Sequence, residues 1–210
     1  MTDRRMFLKA GILGALSPSI LSAAASAEGE GAKSTPENLQ TAFNGEFNAK
    51  NRYEAFAIKA DEEGYHQVAG LFRAAALSET FHARNHAAVI FKMGGGPKAT
   101  IQPPDVKSTR ENVEAALKGE DYERLTMYPA FLKQAEADKN TDAAESFEHA
   151  LAAETQHAKY FKEALDNLDA WKDGTKDFLV CSNCGYTTTD LSVKMCPICG
   201  FPRSAITQAK

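Results

Sequence analysis

The sequence predicts an all-α four-helix bundle with one long crossover, followed by a small β/knuckle domain. Three observations predict it. Four stretches between residues 35 and 174 place apolar residues at three- and four-residue spacing, each with start and stop signals. The segment joining the second and third stretches runs through Gly94-Gly95-Gly96-Pro97 and Gln102-Pro103-Pro104, long enough to cross the length of a bundle. All four cysteines fall in residues 175–210, where turn and β-branched residues replace helical periodicity.

Residues 1–27 read as an export signal. Arg4 and Arg5 form the charged region, Ala10 to Leu21 a short apolar run, and Ala25-Ser26-Ala27 the small residues of a cleavage site. The apolar run falls short of the ~20 residues a membrane span needs. Arg-Arg-Met-Phe-Leu-Lys resembles the twin-arginine type, which implies export of a folded protein to the periplasm; Asp3 departs from the usual Ser or Thr before the arginines. An ordinary secretory signal or an uncleaved anchor are the alternatives. The whole chain carries a formal charge of -4, and removal of Asp3, Arg4, Arg5 and Lys9 takes it to -6. That balance and the lack of a long basic run argue against nucleic acid as a partner.

Residues 28–34 form a small-residue linker. Thr35 is expected to cap a first helix that begins at Pro36 and runs to Gly64, and a second runs from about Tyr65 to Met93. Ser108 with Glu111 makes a capping box for the third, which continues to about Asp138. Thr141 or Asp142 opens the fourth, which ends near Gly174. Two antiparallel hairpins joined by one crossover make a ferritin-like bundle over residues 35–174. Residues 175–210 form a separate domain too small to hold itself without a staple.

Acids sit where this bundle needs apolar residues. Glu79 and His82 interrupt the stripe of Val68, Leu71, Phe72, Ala75, Val89 and Met93, and Glu154 and His157 interrupt that of Phe147, Ala150, Leu151, Ala158, Phe161 and Leu165. Glu46 on the first helix, and Glu120 and Glu123 on the third, also face inward. Glu46 and Glu120 have possible surface partners four residues on, Lys50 and Arg124, but Glu79 and Glu154 are flanked by alanines at that spacing. An unpaired buried carboxylate costs several kcal/mol. A Glu from each of two helices plus a Glu-x-x-His from each of the others is the inward set of di-iron and di-manganese carboxylate bundles. Glu46 to Glu79 is 33 residues and Glu120 to Glu154 is 34, so the set is repeated. Carboxylates with one imidazole per metal suit iron or manganese and accept zinc.

Cys181-x-x-Cys184-Gly and Cys196-x-x-Cys199-Gly form two knuckles with eleven residues between them. They suit one tetrahedral four-sulfur metal site, iron or zinc. Two disulfides are the alternative in an exported chain.

Gly-Glu-Phe-Asn-Ala-Lys-Asn-Arg-Tyr at 45–53, Glu-Thr-Phe-His at 79–82, Gly-Glu-Asp-Tyr-Glu-Arg-Leu-Thr-Met-Tyr-Pro at 119–129, Glu-Thr-Gln-His at 154–157 and the two knuckles closely resemble the rubrerythrins. The resemblance implies three irons per chain: a di-iron centre in the bundle and a rubredoxin-like iron on Cys181, Cys184, Cys196 and Cys199. It makes Glu79 and Glu154 bridging ligands and Glu46 and Glu120 terminal ones. His157 binds the iron of Glu120, and the other iron exchanges His82 for Glu123 with oxidation state. Tyr53 and Tyr128 match the two tyrosines beside the irons.

The implied activity is reduction of hydrogen peroxide to water in oxidative-stress defence. Electrons come from a donor protein through the four-cysteine iron, usually between subunits of a head-to-tail dimer. A periplasmic chain lacks the nicotinamide pool, so its donor must be another protein, of cytochrome or quinol-linked type. A ferroxidase, or a non-catalytic bundle with a zinc ribbon, are the rival functions. His86 reads as a core or supporting histidine, His66 and His149 have no site role, and Trp171 is expected to pack at the domain junction.

Overall fold

The computed structural model describes residues 34–172, 174 and 176–209. The expected export signal lies outside these residues. Five α-helices follow in order: α1 (Thr35–Glu62), α2 (His66–Lys92), α3 (Thr109–Tyr122), α4 (Tyr128–Ala137) and α5 (Thr141–Asp166). A π-helical segment, Glu123–Met127, joins α3 to α4, so these three pieces together occupy the place of the expected third helix. The crossover between α2 and α3 is present. Asn44 and Asn48 on α1 hold it down, accepting from the Thr100 and Gln102 amides at 2.7 and 2.8 Å.

Boundaries differ from expectation where two residues compete for one cap. Ser34, not Thr35, caps α1, because Glu37 accepts from both its amide and its hydroxyl at 2.8 and 2.7 Å. The Thr35 hydroxyl donates instead to Asp138 Oδ2 at 2.7 Å, tying the start of α1 to the end of α4. Asn140 caps α5 by accepting from the Ala143 amide at 3.0 Å. The Ser108 and Glu111 capping box forms as expected. Helix α5 stops at Asp166, before the expected end, and turns carry the chain to Trp171. There Trp171 packs 6.4 Å from Phe178 at the junction with the cysteine segment.

That segment forms a three-stranded antiparallel sheet in the order β2-β1-β3, with β1 Leu179–Cys181, β2 Thr187–Thr188 and β3 Ile206–Gln208. It has its own small cluster of Leu179, three cysteines and Ile206. Yet Ala32–Lys210 is one compact unit, because Phe178 and Val180 belong to the core of the bundle. Among the described residues no helix is long and apolar enough to cross a membrane.

The bundle core is divided. One apolar cluster gathers Tyr53, Phe56, Phe72, Val113 and Phe161; the other gathers Leu39, Ile90, Met127, Tyr128 and Phe147. Every long helix passes from one to the other, and between them each contributes its acids. The two clusters hold the four helices at close spacing on either side of a polar belt.

One contact ties the α1 end to the crossover. Glu63 accepts from the Thr109 amide at 2.8 Å, one of the unpaired donors at the start of α3. Hydrogen bonding from Thr109, then Lys59, holds its carboxyl down from the usual 4.5 to about 2. A depressed carboxylate stabilises the fold above its unfolded pKa and stops doing so as pH falls through the folded value. Glu63→Gln should therefore cost about 1 kcal/mol at pH 7. The difference in thermal midpoint from the parent should vanish as pH falls from about 4.5 to about 2; a difference constant with pH would show that the charge has no part in it.

Candidate metal centres

The belt holds Glu46, Glu79, Glu120, Glu154, His82 and His157, all at most 1% exposed. Their ligand atoms form two groups, each within 4.8 Å: Glu46, Glu79, His82 and Glu154; and Glu79, Glu120, Glu154 and His157. Glu79 and Glu154 are in both groups. His82 Nδ1 lies 2.7 Å from Glu79 and 2.9 Å from Glu154. His157 Nδ1 lies 2.9 Å from Glu154 and 3.5 Å from both Glu79 and Glu120. Glu123 is buried beside the belt but belongs to neither group.

The belt fits a pair of metal ions. Among the described residues, buried side-chain polar atoms without a hydrogen-bond partner number seven, and six belong to Glu46, Glu79, Glu120, Glu154 and His157. These atoms converge on one another, which only cations among them make favourable. Surface ion pairs do not absorb the acids. Lys50 pairs with Glu54 at 2.9 Å and Arg124 with Asp121 at 2.8 Å, leaving Glu46 and Glu120 to the interior.

The electrostatics show the same strain. Burial, then Glu79 and Glu154, push the Glu46 carboxyl well up; burial raises Glu120 to about 8. Burial also pushes Glu154 up, but the His82 and His157 imidazoles outweigh it and hold the carboxyl down at about 2. A set of acids forced to opposite protonation states by a few ångströms is a site shaped for more positive charge than its two histidines carry.

The two tyrosines steady Glu120 and Glu46. Tyr53 donates to Glu120 Oε1 at 2.5 Å, and Tyr128 donates to Glu46 Oε1. Eight residues separate Glu120 from Tyr128, and eight residues of α-helix would leave them about 80° apart around the axis. The π-helical segment takes up one residue and returns Tyr128 to the belt. Pro129, which lacks an amide and crowds the carbonyl of Leu125, favours the wider turn. His86 is no member of either group: its ring nitrogens meet Ser146 Oγ at 2.8 Å and Tyr128 Oη at 3.0 Å. Burial, then His82, lowers its pKa to about 3, so it stays neutral. His66 pairs with Asp61 on the surface.

Cys181, Cys184, Cys196 and Cys199 are free thiols whose sulfurs form one group within 4.8 Å. Cys181 and Cys199 are 3.6 Å apart, and Cys184 and Cys196 3.5 Å. A disulfide needs about 2.05 Å. A tetrahedron with metal–sulfur bonds of about 2.3 Å has edges near 3.8 Å. The spacing therefore suits a shared metal and not two disulfides.

The first knuckle lies on the belt. His82 Nε2 donates to the Cys184 carbonyl at 3.2 Å, and His157 Nε2 meets Thr187 Oγ1 at 3.0 Å. Each belt histidine thus has its outer nitrogen held by the cysteine segment of its own chain, leaving Nδ1 for a ligand. The resemblance places this meeting between two subunits; here one chain makes it alone. Neither Thr187 nor Ser78, which donates to the Gly185 carbonyl at 2.7 Å, stands out in the sequence. A signal does exist: Ser78, His82 and Asn85 share one face of α2.

Close approach requires Gly185, at φ +77°, where an added Cβ would lie 2.2 Å from His82 Nε2. Gly200 has the matching place in the second knuckle, at φ +72°, with nothing within 4 Å. Gly200→Ala should cost about 1–2 kcal/mol for its backbone alone. Gly185→Ala should cost at least ~1 kcal/mol more and weaken divalent-metal binding in the bundle. Equal thermal unfolding and equal metal titration of the two variants would show that the knuckle does not rest on His82.

The rubrerythrin family model matches residues 37–165. Nigerythrin of Nitratidesulfovibrio vulgaris is 38% identical over 175 residues, covering 83% of this chain and 86% of its own. Rubrerythrin-2 of Clostridium acetobutylicum is 35% identical over 172 residues, covering 80% and 93%. A solved structure of fully reduced, all-ferrous nigerythrin superposes with a TM-score of 0.79 at 34% identity, covering 94% of this chain and 100% of that one. With its acid belt, its four-cysteine knuckles and these likenesses, the chain belongs to the rubrerythrin family of ferritin-like di-iron proteins.

Proposed function

We propose that this protein is a peroxidase that reduces hydrogen peroxide to two waters, consuming two electrons and two protons, in defence against oxidative stress. The observation that carries the reading is the 3.2 Å hydrogen bond from His82 to the Cys184 carbonyl, which leaves the two metal sites one contact apart. A ferroxidase has no use for that contact, and a structural zinc ribbon has none for the belt.

Glu46, Glu79 and Glu154, with His82 or Glu123, would hold one iron; Glu79, Glu120, Glu154 and His157 would hold the other. The four cysteines would hold a third. Irons bound there would supply the two electrons that cleave the peroxide O–O bond, and the four-cysteine site would relay their replacements from a donor protein. The chain's own groups manage geometry and protons. Tyr53 and Tyr128 fix the outer oxygens of Glu120 and Glu46, so the ligands stay set whatever binds between them. Ser146, His86, Tyr128 and Glu46 form an unbroken hydrogen-bonded row, with donors oriented toward Glu46. Neutral His86 accepts at one ring nitrogen and donates at the other, as a proton carrier must. The two apolar clusters exclude bulk water from the belt.

The protein acts in the periplasm after export by the twin-arginine route, which lets its cysteines take up iron before meeting an oxidising compartment. It works as a homodimer, with the electron path inside each chain. Glu79→Ala should keep the cysteine-site colour yet slow peroxide-driven oxidation of that site by at least about 100-fold. Mixing that variant with Cys184→Ser should restore no activity. An unimpaired Glu79→Ala would overturn the peroxidase mechanism, and recovery on mixing would place the path between subunits.

A further inference from the structure

Helix α2 caps four consecutive carbonyls of the first knuckle. Arg84 Nη2 donates to the Ser182 carbonyl at 2.6 Å, Asn85 Nδ2 to Asn183 at 2.6 Å, His82 to Cys184 and Ser78 to Gly185. The other ends of these peptides matter as much. The amides of Asn183 and Cys184 are directed at Cys181 Sγ, and that of Tyr186 at Cys184 Sγ. Arg84, Asn85 and Ser78 therefore each bind the oxygen of a peptide group whose N–H is aimed at a cysteine sulfur. The fourth peptide, capped by His82, sends its N–H to the Cys181 carbonyl instead.

A donor on a peptide oxygen draws electron density from the amide and strengthens the hydrogen bond made by its N–H. The strongest effect comes from a charged donor, and Arg84 is the only charged side chain among the three. Arg84 also donates to Asn85 Oδ1, at 3.2 Å from Nη2, which turns the Asn85 amide so that its NH₂ faces Asn183. Its guanidinium is held in place over the Phe81 ring, 5.0 Å from the centroid.

The second knuckle is the internal comparison. The amides of Ile198 and Cys199 are directed at Cys196 Sγ in the same way. Their peptides belong to Pro197 and Ile198, which are exposed to solvent. The same turn is thus polarised by the bundle at one end of the four-sulfur site and left to water at the other.

We propose that Arg84, Asn85 and Ser78 are positioning residues that raise the reduction potential of the metal held by the four cysteines. An iron on four thiolates gains one negative charge on reduction, and strengthened N–H to sulfur bonds favour that form. The inference rests on iron at this site, and deepens the proposed function by making docking onto α2 and electron acceptance a single property.

The test is a midpoint potential of the cysteine iron in the full-length protein, alongside amide resonances in zinc-loaded protein. Arg84→Ala should lower the oxidised-to-reduced balance point by about 59 mV, a tenfold change for one electron. Arg84→Lys should lower it less, and Ser78→Ala should shift it in the same direction by a smaller amount. In the zinc form, Arg84→Ala should move the Asn183 amide proton upfield and leave those of Ile198 and Cys199 in place. An unchanged potential in both Arg84→Ala and Ser78→Ala would overturn the proposal. So would amide shifts that move in both knuckles together, since that marks undocking of the whole segment. Failure of the cysteines to take up iron would defeat the proposed function instead, and the zinc resonances would still decide the polarisation.

Discussion

Six acid and imidazole side chains buried between two apolar clusters are the constraint on which the rest of the structure depends. Carboxylates in an apolar interior repel one another and lose their water, and neither cost is small beside the marginal stability of a domain. The fold accepts both because every helix crosses the belt at the same level. The clusters on either side supply the packing that the belt cannot. Tyr53 and Tyr128 belong to one cluster each, yet aim their hydroxyls inward, so the apolar halves also set the orientation of Glu120 and Glu46.

The cysteine segment completes that arrangement. A partner on the outer nitrogen fixes the orientation of a belt histidine and leaves Nδ1 free for a metal, and here both partners come from residues beyond the bundle. Binding in the bundle and folding at the knuckle are consequently coupled through the Cys184 carbonyl and the Thr187 hydroxyl. Gly185 permits the coupling, since any side chain there would displace the His82 ring. This close approach explains why Ala32–Lys210 behaves as one unit although its sequence changes character at residue 175.

Much of this was legible in the chain. Helical periodicity located the bundle, and the acids stood out because Glu79 and Glu154 interrupt apolar stripes with only alanines beside them at helical spacing. The knuckles were visible from cysteine spacing alone. Helix caps were misplaced by a residue at Ser34 and Asn140, where neighbours of similar capping power compete and a reciprocal contact decides. The π-helical segment was not visible in periodicity. It depends on the phase between Glu120 and Tyr128, and only Pro129 with the eight-residue gap hints at it. Docking of the knuckle was least legible, because it runs mainly through carbonyls that any residue would supply. Its sole trace is the polar row of Ser78, His82 and Asn85 on α2.

Peroxide chemistry wired to the four-cysteine site is the central claim. Its most direct test is an anaerobic titration of fully reduced, metal-quantified protein with hydrogen peroxide and separately with dioxygen, following the visible absorption of the iron–thiolate centre. The account predicts rapid return of that colour with peroxide and slow return with dioxygen. An equal or faster response to dioxygen would contradict it in favour of a ferroxidase, and a colourless preparation would contradict it by placing zinc in the knuckles.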